Sequence, residues 1–427
     1  MENKLGPYYI SIEHLRAGMY VHLDLRWVEH NFSLNSFKIK SESQVAEIKS
    51  LGLKRIRIDP ARSTIVVPPI QESSPHAGVA LDVATGDTNP VVLHPVNQAR
   101  LAYLNQQRNA LDQCERQFAK AASSLRNIIS NFEERPHEAH QEATDLVQEI
   151  VKTILSDKDI AIHLMSDKAD GEEMYFHALN VSVLAMMLAK ELGMSPLSIE
   201  HVGIGCIFHD IGKTKIPDRV LRATMPTRTE LNLVQQHCAY GSAIGVRLGL
   251  SREALNVIMQ HHECMDGTGY PHMLIGDEIS PLARIAAIVN VYDHHCNHAN
   301  PSNSLTPYEA LSHMYANERS WFDPKFLNVF IHCMGVYPPG TLVRLTDETL
   351  GLVIASNFGK PLRPRILIFD PSVPKSEAAT LDLLKEPDLS VKQSLRPRDV
   401  SRDVYEYLSP RTHMTYFFNG TPKPDKT

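Results

Sequence analysis

Phe208-His-Asp-Ile-Gly-Lys213 closes an apolar stretch that begins at Val202, and it sets an imidazole beside a carboxylate at the end of what reads as a buried helix. Burying such a pair without a partner is costly. A metal ion is a partner that suits both groups. The doublet alone is a weak signal, so the placement of the other histidines decides whether it means anything.

Those histidines fall into a pattern. Glu173 and His177 stand four apart at the start of a helical segment expected over 173–192, so both project from one face. Two ligands at that spacing are a recurring metal-site geometry. His237 lies on the next predicted helix, 229–248, and His261 and His262 lie near the end of a helix predicted over 253–262. Each has an ordinary explanation: His237 as a satisfied core histidine, Glu173 as a solvated carboxylate at a helix start. One shared site explains the whole set better. Directly after His261-His-Glu263 comes Asp266-Gly-Thr-Gly-Tyr-Pro271, where two glycines in a turn permit close backbone approach to a ligand and Pro271 fixes the exit. By itself that composition would suit a plain loop.

The whole chain sets bounds on this reading. Histidine is over-represented, 21 residues against 13 Phe and 14 Tyr, and many cluster between His177 and His298. Forty-three basic against 49 acidic side chains give a net charge of −6, so no basic surface points to DNA or to a membrane as partner. An anionic substrate must be drawn in locally. Six scattered cysteines without a CxxC pair suit a reducing compartment, where they serve as small buried hydrophobes. No apolar run approaches the length of a membrane span, and the first residues lack the pattern of a signal peptide. A cytoplasmic protein is expected.

The expected fold is mainly α, with a small mixed α/β N-terminal domain and a β-rich C-terminal extension. A docking or regulatory domain is assigned to 5–67, with strands at Tyr8–Ile12, Tyr20–Leu25 and Arg55–Ile58. Its one helix starts at the capping sequence Ser41-Glu-Ser-Gln44. Pro- and Ser-rich 68–95 reads as a linker, and 96–157 as a helical connector broken at Pro136. That connector would either form a homodimer seam or pack on its own domain. The catalytic domain is assigned to 158–336. The extension, 337–427, carries strands at Thr341–Leu345, Gly351–Ala355 and Arg365–Phe369.

In this order, Glu173, His177, His209-Asp210 with Lys213, His237, His261-His262 and Asp266-Gly-Thr-Gly-Tyr-Pro271 closely resemble the HD-GYP cyclic dinucleotide phosphodiesterases. The resemblance covers roughly 175 residues by the extent of these motifs. Leu15-Arg-Ala-Gly-Met-Tyr-Val21, Trp27 and Phe37 also look like the domain of unknown function that often precedes them. The resemblance implies an HD-type all-helical bundle and two or three divalent metal ions, iron or manganese. Cyclic di-GMP would be hydrolysed to pGpG or GMP, although some members prefer cyclic GMP-AMP. The setting it implies is bacterial second-messenger signalling, with control of motility and biofilm, and signalling partners that meet the N-terminal domain. It makes His177, His209, Asp210, His237, His261 and His262 metal ligands, with Asp210 bridging, and Glu173 the extra carboxylate of three-metal members. Lys213 would contact the scissile phosphate. Asp266, Gly267, Gly269, Tyr270 and Pro271 would shape the substrate pocket.

Two departures stand out. In Ile288-Val-Asn-Val-Tyr-Asp293 the family's aspartate ligand is replaced by Asn290, whose carbonyl can ligate a hard cation without bringing charge, while Asp293 is kept three residues on, near the same helical face, as a candidate to compensate. His294-His-Cys-Asn-His-Ala-Asn-Pro301 replaces the segment whose arginine grips the dinucleotide; it reads as a surface loop, the alternative being that His294, His295 and His298 contribute a polar or metal contact. An active phosphodiesterase and a weakened cyclic-dinucleotide sensor or scaffold therefore both follow from the sequence.

Overall fold

The computed structural model describes residues 8–25, 32, 36–60, 62–65, 114, 116–155, 174–298, 300, 303–357, 360–371, 373, 375 and 378–408, with the backbone alone of 156, 161–164, 173 and 416–419. Most of the expected linker and the first part of the connector lie outside them. The chain divides into two compact units, 1–107 with 370–379 and 108–369 with 380–427.

In the first unit, β1 (Tyr8–Ser11), β2 (Tyr20–His22), β3 (Ser36–Lys38) and β4 (Arg55–Asp59) make an antiparallel sheet in the order β1-β4-β2-β3. The alternation of Arg55-Ile-Arg-Ile58 buries Ile56 and Ile58. Helix α1 (Glu42–Ser50) starts where the capping sequence placed it, since Ser41 Oγ accepts from the Gln44 N–H at 3.3 Å. The Gln44 side chain reaches back to the Lys40 N–H, 2.7 Å away, one residue earlier than in a capping box. Val45 and Ile48 then close the core against Ile10, Val21, Ile56 and Ile58.

The second unit is mainly helical. It begins with α2 (116–131) and α3 (Pro136–Ser156), followed by a short strand, β5 (Ala161–Leu164), in a region whose pattern reads as helix. Helices α4 (Glu173–Glu191) and α5 (Pro196–Phe208) come next. Nearly every residue from Ala178 to Ala189, and all of Val202 to Phe208, is buried. A helix apolar on all sides belongs at the centre of a bundle, and α5 packs against α3, α4, α9 (Arg252–Gln260) and α10 (Pro281–Cys296). Its start is fixed by Ser195, whose hydroxyl accepts from the Ser198 N–H, and by Pro196 in the first turn.

The chain leaves α5 through a 3-10 turn, Ile211–Lys215, and the short α6 (Asp218–Leu221). The helix expected over 229–248 is in fact two, α7 (Arg228–Gln235) and α8 (His237–Leu248), so that His237 opens the second. Helices α11 (Pro307–Asn317) and α12 (Pro324–Met334) complete the bundle. Connector residues Leu125, Ile128, Val147 and Ile154 belong to the same core as α4 and α5, which is the own-domain packing foreseen as one alternative.

After the bundle, β6 (Leu342–Leu345), β7 (Leu350–Ala355) and β8 (Arg365–Ile368) appear at the three places where the sequence alternates. With β9 (Thr380–Asp382), β10 (Val391–Leu395) and, beyond α13 (Arg402–Leu408), β11 (Tyr416–Asn419), they build a sheet in the order β10-β6-β7-β5-β11. In it β8 pairs with β7 and β9. Strand β5 belongs to this sheet through backbone pairing of His163 with Ala355. All six cysteines are free and five of them are buried, as their scatter suggested. Among the described residues no helix is long and apolar enough to cross a membrane.

One contact sets the geometry of everything that follows. A Cβ on Gly212 would lie 2.0 Å from the His237 carbonyl oxygen and 2.5 Å from the Gly241 nitrogen, so the turn after Asp210 lies backbone to backbone on α8. Backbone cannot rotate aside as a side chain can. Gly212→Ala should therefore lower stability by about 1–3 kcal/mol, read as a lower denaturant midpoint at unchanged slope. An unchanged midpoint would show that the two segments separate freely.

Candidate metal centre

Asp210 stands at the meeting point of α5, the 3-10 turn and α8. It is 6% exposed, and its two oxygens face two different pairs of imidazoles. Oδ2 lies 3.4 Å from His209 Nε2 and 3.7 Å from His177 Nε2. Oδ1 lies 3.4 Å from His237 Nε2 and 3.8 Å from His261 Nε2. His262 closes the second group. One carboxylate thus straddles two clusters of donors, on α4 and α5 to one side and on α8 and α9 to the other.

The tautomers follow from the other ring nitrogens. His209 Nδ1 lies 2.6 Å from the Cys206 carbonyl oxygen, His237 Nδ1 2.7 Å from that of Val234, and His261 Nδ1 2.9 Å from that of Ile258. A carbonyl only accepts, so each Nδ1 carries the proton and each Nε2 its lone pair. All three use the carbonyl three residues back at a helix end, and those of Cys206 and Val234 also accept a backbone N–H there, from His209 and Gln236. His177 reaches the same state differently: Nδ1 donates to Asp293 Oδ2 at 2.6 Å, turning Nε2 toward Asp210.

Lone pairs consequently face each other at short range. His177 Nε2 and His209 Nε2 are 3.1 Å apart, and His237 Nε2 and His261 Nε2 are 3.2 Å apart. Asp210 Oδ1 and Asn290 Oδ1 are buried without a hydrogen-bond partner. Facing lone pairs and an orphaned carboxylate oxygen repel one another unless a cation lies among them, so the residues present fit divalent metal. Burial keeps the rings neutral, which ligation requires: His237 is pushed below its ordinary pKa, and His261 and His262 well below it. Burial alone would raise the Asp210 carboxyl, but neighbouring positive charge, that of Lys213 foremost, outweighs it and holds that group well below the usual carboxylate range. Lys213 Nζ donates to Asp210 Oδ2 at 2.6 Å.

The glycine-rich loop is built against this cluster. A Cβ on Gly269 would come within 2.4–2.5 Å of the backbone of His262, Glu263 and Cys264, so only glycine permits the approach. Gly267 has φ +79°. Tyr270 donates its N–H to the His262 carbonyl at 3.1 Å and stacks its ring on His262, with centroids 4.5 Å apart. Tyr270 is joined to Pro271 by a cis peptide bond. Asp266 is exposed, and both its oxygens are engaged, one by Thr268 and the other by the Ser320 hydroxyl at 2.8 Å. Glu263, which the sequence did not mark, is 2% exposed and accepts the N–H groups of His272 and Leu274, pinning the loop's exit.

Glu173 opens α4, and its side chain lies outside the described residues. Asp293, which the sequence offers as a carboxylate to compensate for Asn290, accepts from Asn180 and Asn297 besides His177, so it orients a donor from behind. The expected surface loop from His294 onward is corrected, because α10 continues to Cys296 and carries His294 beside His177, with ring centroids 4.9 Å apart.

Comparison with known proteins agrees with this architecture. An HD-domain family profile matches residues 124–326, and a profile described as a domain of unknown function, DUF3391, matches residues 9–143. A cyclic di-GMP phosphodiesterase of Pseudomonas aeruginosa is 30% identical over 364 residues, 84% of each chain. The cyclic di-GMP phosphodiesterase response regulator RpfG of Xanthomonas campestris pv. campestris is 30% identical over 35% of this chain and 41% of its own length. A solved HDG"Y"P protein of Bdellovibrio bacteriovorus is 16% identical with a TM-score of 0.41, covering 76% of this chain and 98% of that one. With its DUF3391 region ahead of an HD domain that carries His209-Asp210 and Gly269-Tyr-Pro271, the chain belongs to the HD-GYP phosphodiesterases.

Proposed function

We propose that this protein hydrolyses cyclic di-GMP to pGpG, GMP or both, at a cation centre straddled by Asp210. The observation that carries the reading is the pair of facing lone-pair contacts on either side of one buried carboxylate. His177, His209 and Asp210 Oδ2 would hold one ion; His237, His261, His262 and Asp210 Oδ1 would hold another. A third would fall on the His177 side, where Asp293 and His294 converge and where α4 begins at Glu173. Iron or manganese suits this mix of imidazole and carboxylate. When bound, such ions neutralise an anionic phosphodiester and acidify the attacking water.

The chain's own groups do the positioning. Lys213 stands at the mouth of the cluster, about a quarter exposed, where its charge meets a phosphoryl oxygen as negative charge develops. The Tyr270 ring, stacked on His262, walls the second cation position. Gly267, Gly269 and Pro271 let the loop lie close enough to contact the dinucleotide. Asp266 contributes by fixing the turn through Thr268 and Ser320. Asn290 presents a buried, unpartnered carbonyl oxygen, a neutral donor where the family has a charged one. It is the observation on which a weakened sensor would rest.

Three outcomes are expected. Manganese- or iron-loaded protein should turn over cyclic di-GMP, and the His209→Ala/Asp210→Ala double variant should not. Lys213→Ala should lower kcat by about 10²–10³-fold. Asn290→Asp should retain metal more tightly during dialysis; if it alone gained turnover while the native protein showed none, the sensor reading would replace the enzyme. The depressed pKa values of His237, His261 and His262 also fix a pH dependence. The unfolded rings take up protons below about pH 6.5 before the folded ones do. Metal-stripped protein should therefore keep full stability above that pH and lose it as pH falls further, read as a declining Tm. A Tm that rises on acidification would contradict the neutral-ring assignment.

A further inference from the structure

We infer that His295, His313 and Glu318 form a second cation site, separate from the centre at Asp210, for a zinc-type divalent ion. The three residues come from the last turn of α10, from α11 and from the residue just after α11. His295 Nε2 lies 2.9 Å and 3.1 Å from the two Glu318 oxygens, and His313 Nε2 lies 3.4 Å from Oε1. The imidazole centroids are 5.1 Å apart. Donors around a tetrahedral zinc at about 2.0–2.1 Å are roughly 3.3 Å from one another. The cluster already stands close to that spacing.

The surroundings favour a cation over a simple hydrogen-bonded network. The Glu318 residue is 7% exposed, and among the described residues its carboxylate meets two imidazoles and no lysine or arginine. Glu263 and Asp293, buried further still, each accept from two or three neutral donors, whereas the Glu318 carboxylate has only two imidazoles, which a cation would convert from donors into ligands. Two imidazoles and one carboxylate are the donor set of borderline ions such as zinc rather than of magnesium or calcium. The His313 side chain is 43% exposed, which gives an ion a path in and leaves a position for water.

The site is distinct from the catalytic one. His295 is two residues beyond Asp293 on α10, roughly 200° around the helix, so it points away from His177. The two are nonetheless connected through the chain. Directly after Glu318, the Ser320 hydroxyl donates to Asp266 and the Trp321 carbonyl accepts the Met265 N–H at 2.9 Å. An ion that ties Glu318 to α10 and α11 anchors the segment on which the glycine-rich loop rests.

The test uses the full chain and Zn2+ alone. Metal content after equilibration at fixed free Zn2+, and titration calorimetry, are compared for the native protein, His313→Gln and Glu318→Gln. The native protein should hold one more equivalent per chain than either variant, or bind that equivalent at least tenfold more tightly. Equal content and affinity in native protein and His313→Gln would overturn the proposal and leave a His–Glu–His hydrogen-bond network. The half-exposed His313 keeps the test decisive even where Glu318→Gln fails to fold. Turnover is not the readout, so the result stands apart from the phosphodiesterase reading.

Discussion

A carboxylate buried to the extent of Asp210 costs several kcal/mol of desolvation unless charge is brought to it, and the helical unit is arranged to bring that charge. Helix α5 delivers His209 and Asp210 together at its end. The turn at Gly212 then folds back so tightly on α8 that His237 lands across the carboxylate from His209. Helices α9 and α4 add His261 and His177. Each of these placements aims a lone pair at the same carboxylate, the aim being set by the carbonyls of Cys206, Val234 and Ile258 for three of the rings and by Asp293 for His177.

Much of this was legible in the sequence because it is local or periodic. Ser41, the alternating Arg55-Ile-Arg-Ile58 and the three later strands follow from rules that act over a few residues. Buried α5 follows from apolar residues on every face. The set of candidate ligands was readable because ligand chemistry restricts residue types so severely: one histidine is ambiguous, whereas five with an aspartate, in order along successive helices, are not. Five histidine candidates are brought together around Asp210, and the Asn290 oxygen is buried without a hydrogen-bond partner.

What the sequence concealed is set by tertiary contact. Strand β5 is too short to announce itself and exists because β7 and β11 offer it partners. Glu263 looks like any acidic residue after a histidine pair, and only the fold turns it toward two backbone N–H groups nine and eleven residues on. His295 and Glu318 are 23 residues apart, beyond the reach of any helical or strand period. The loop reading failed at 294–296, because α10 runs on to Cys296, with the Asn297 N–H on the Asp293 carbonyl and the Leu305 N–H on that of His295.

The replacement at Asn290 gains its meaning from charge. Among the described donors only Asp210 carries a full negative charge directly, with Asp293 adding its own through His177. Two divalent ions would bring four positive charges to that pair, so the loaded centre would carry a surplus that an aspartate at 290 would reduce. Such a surplus draws an anionic phosphodiester inward, and it lowers the affinity for the ions that produce it, both by the same Coulomb term. Substrate attraction and metal retention are therefore opposed at this position. A ligating Asn290 carbonyl, as proposed above, would favour attraction, in a chain that lacks an arginine in the segment 294–301 to supply that pull another way.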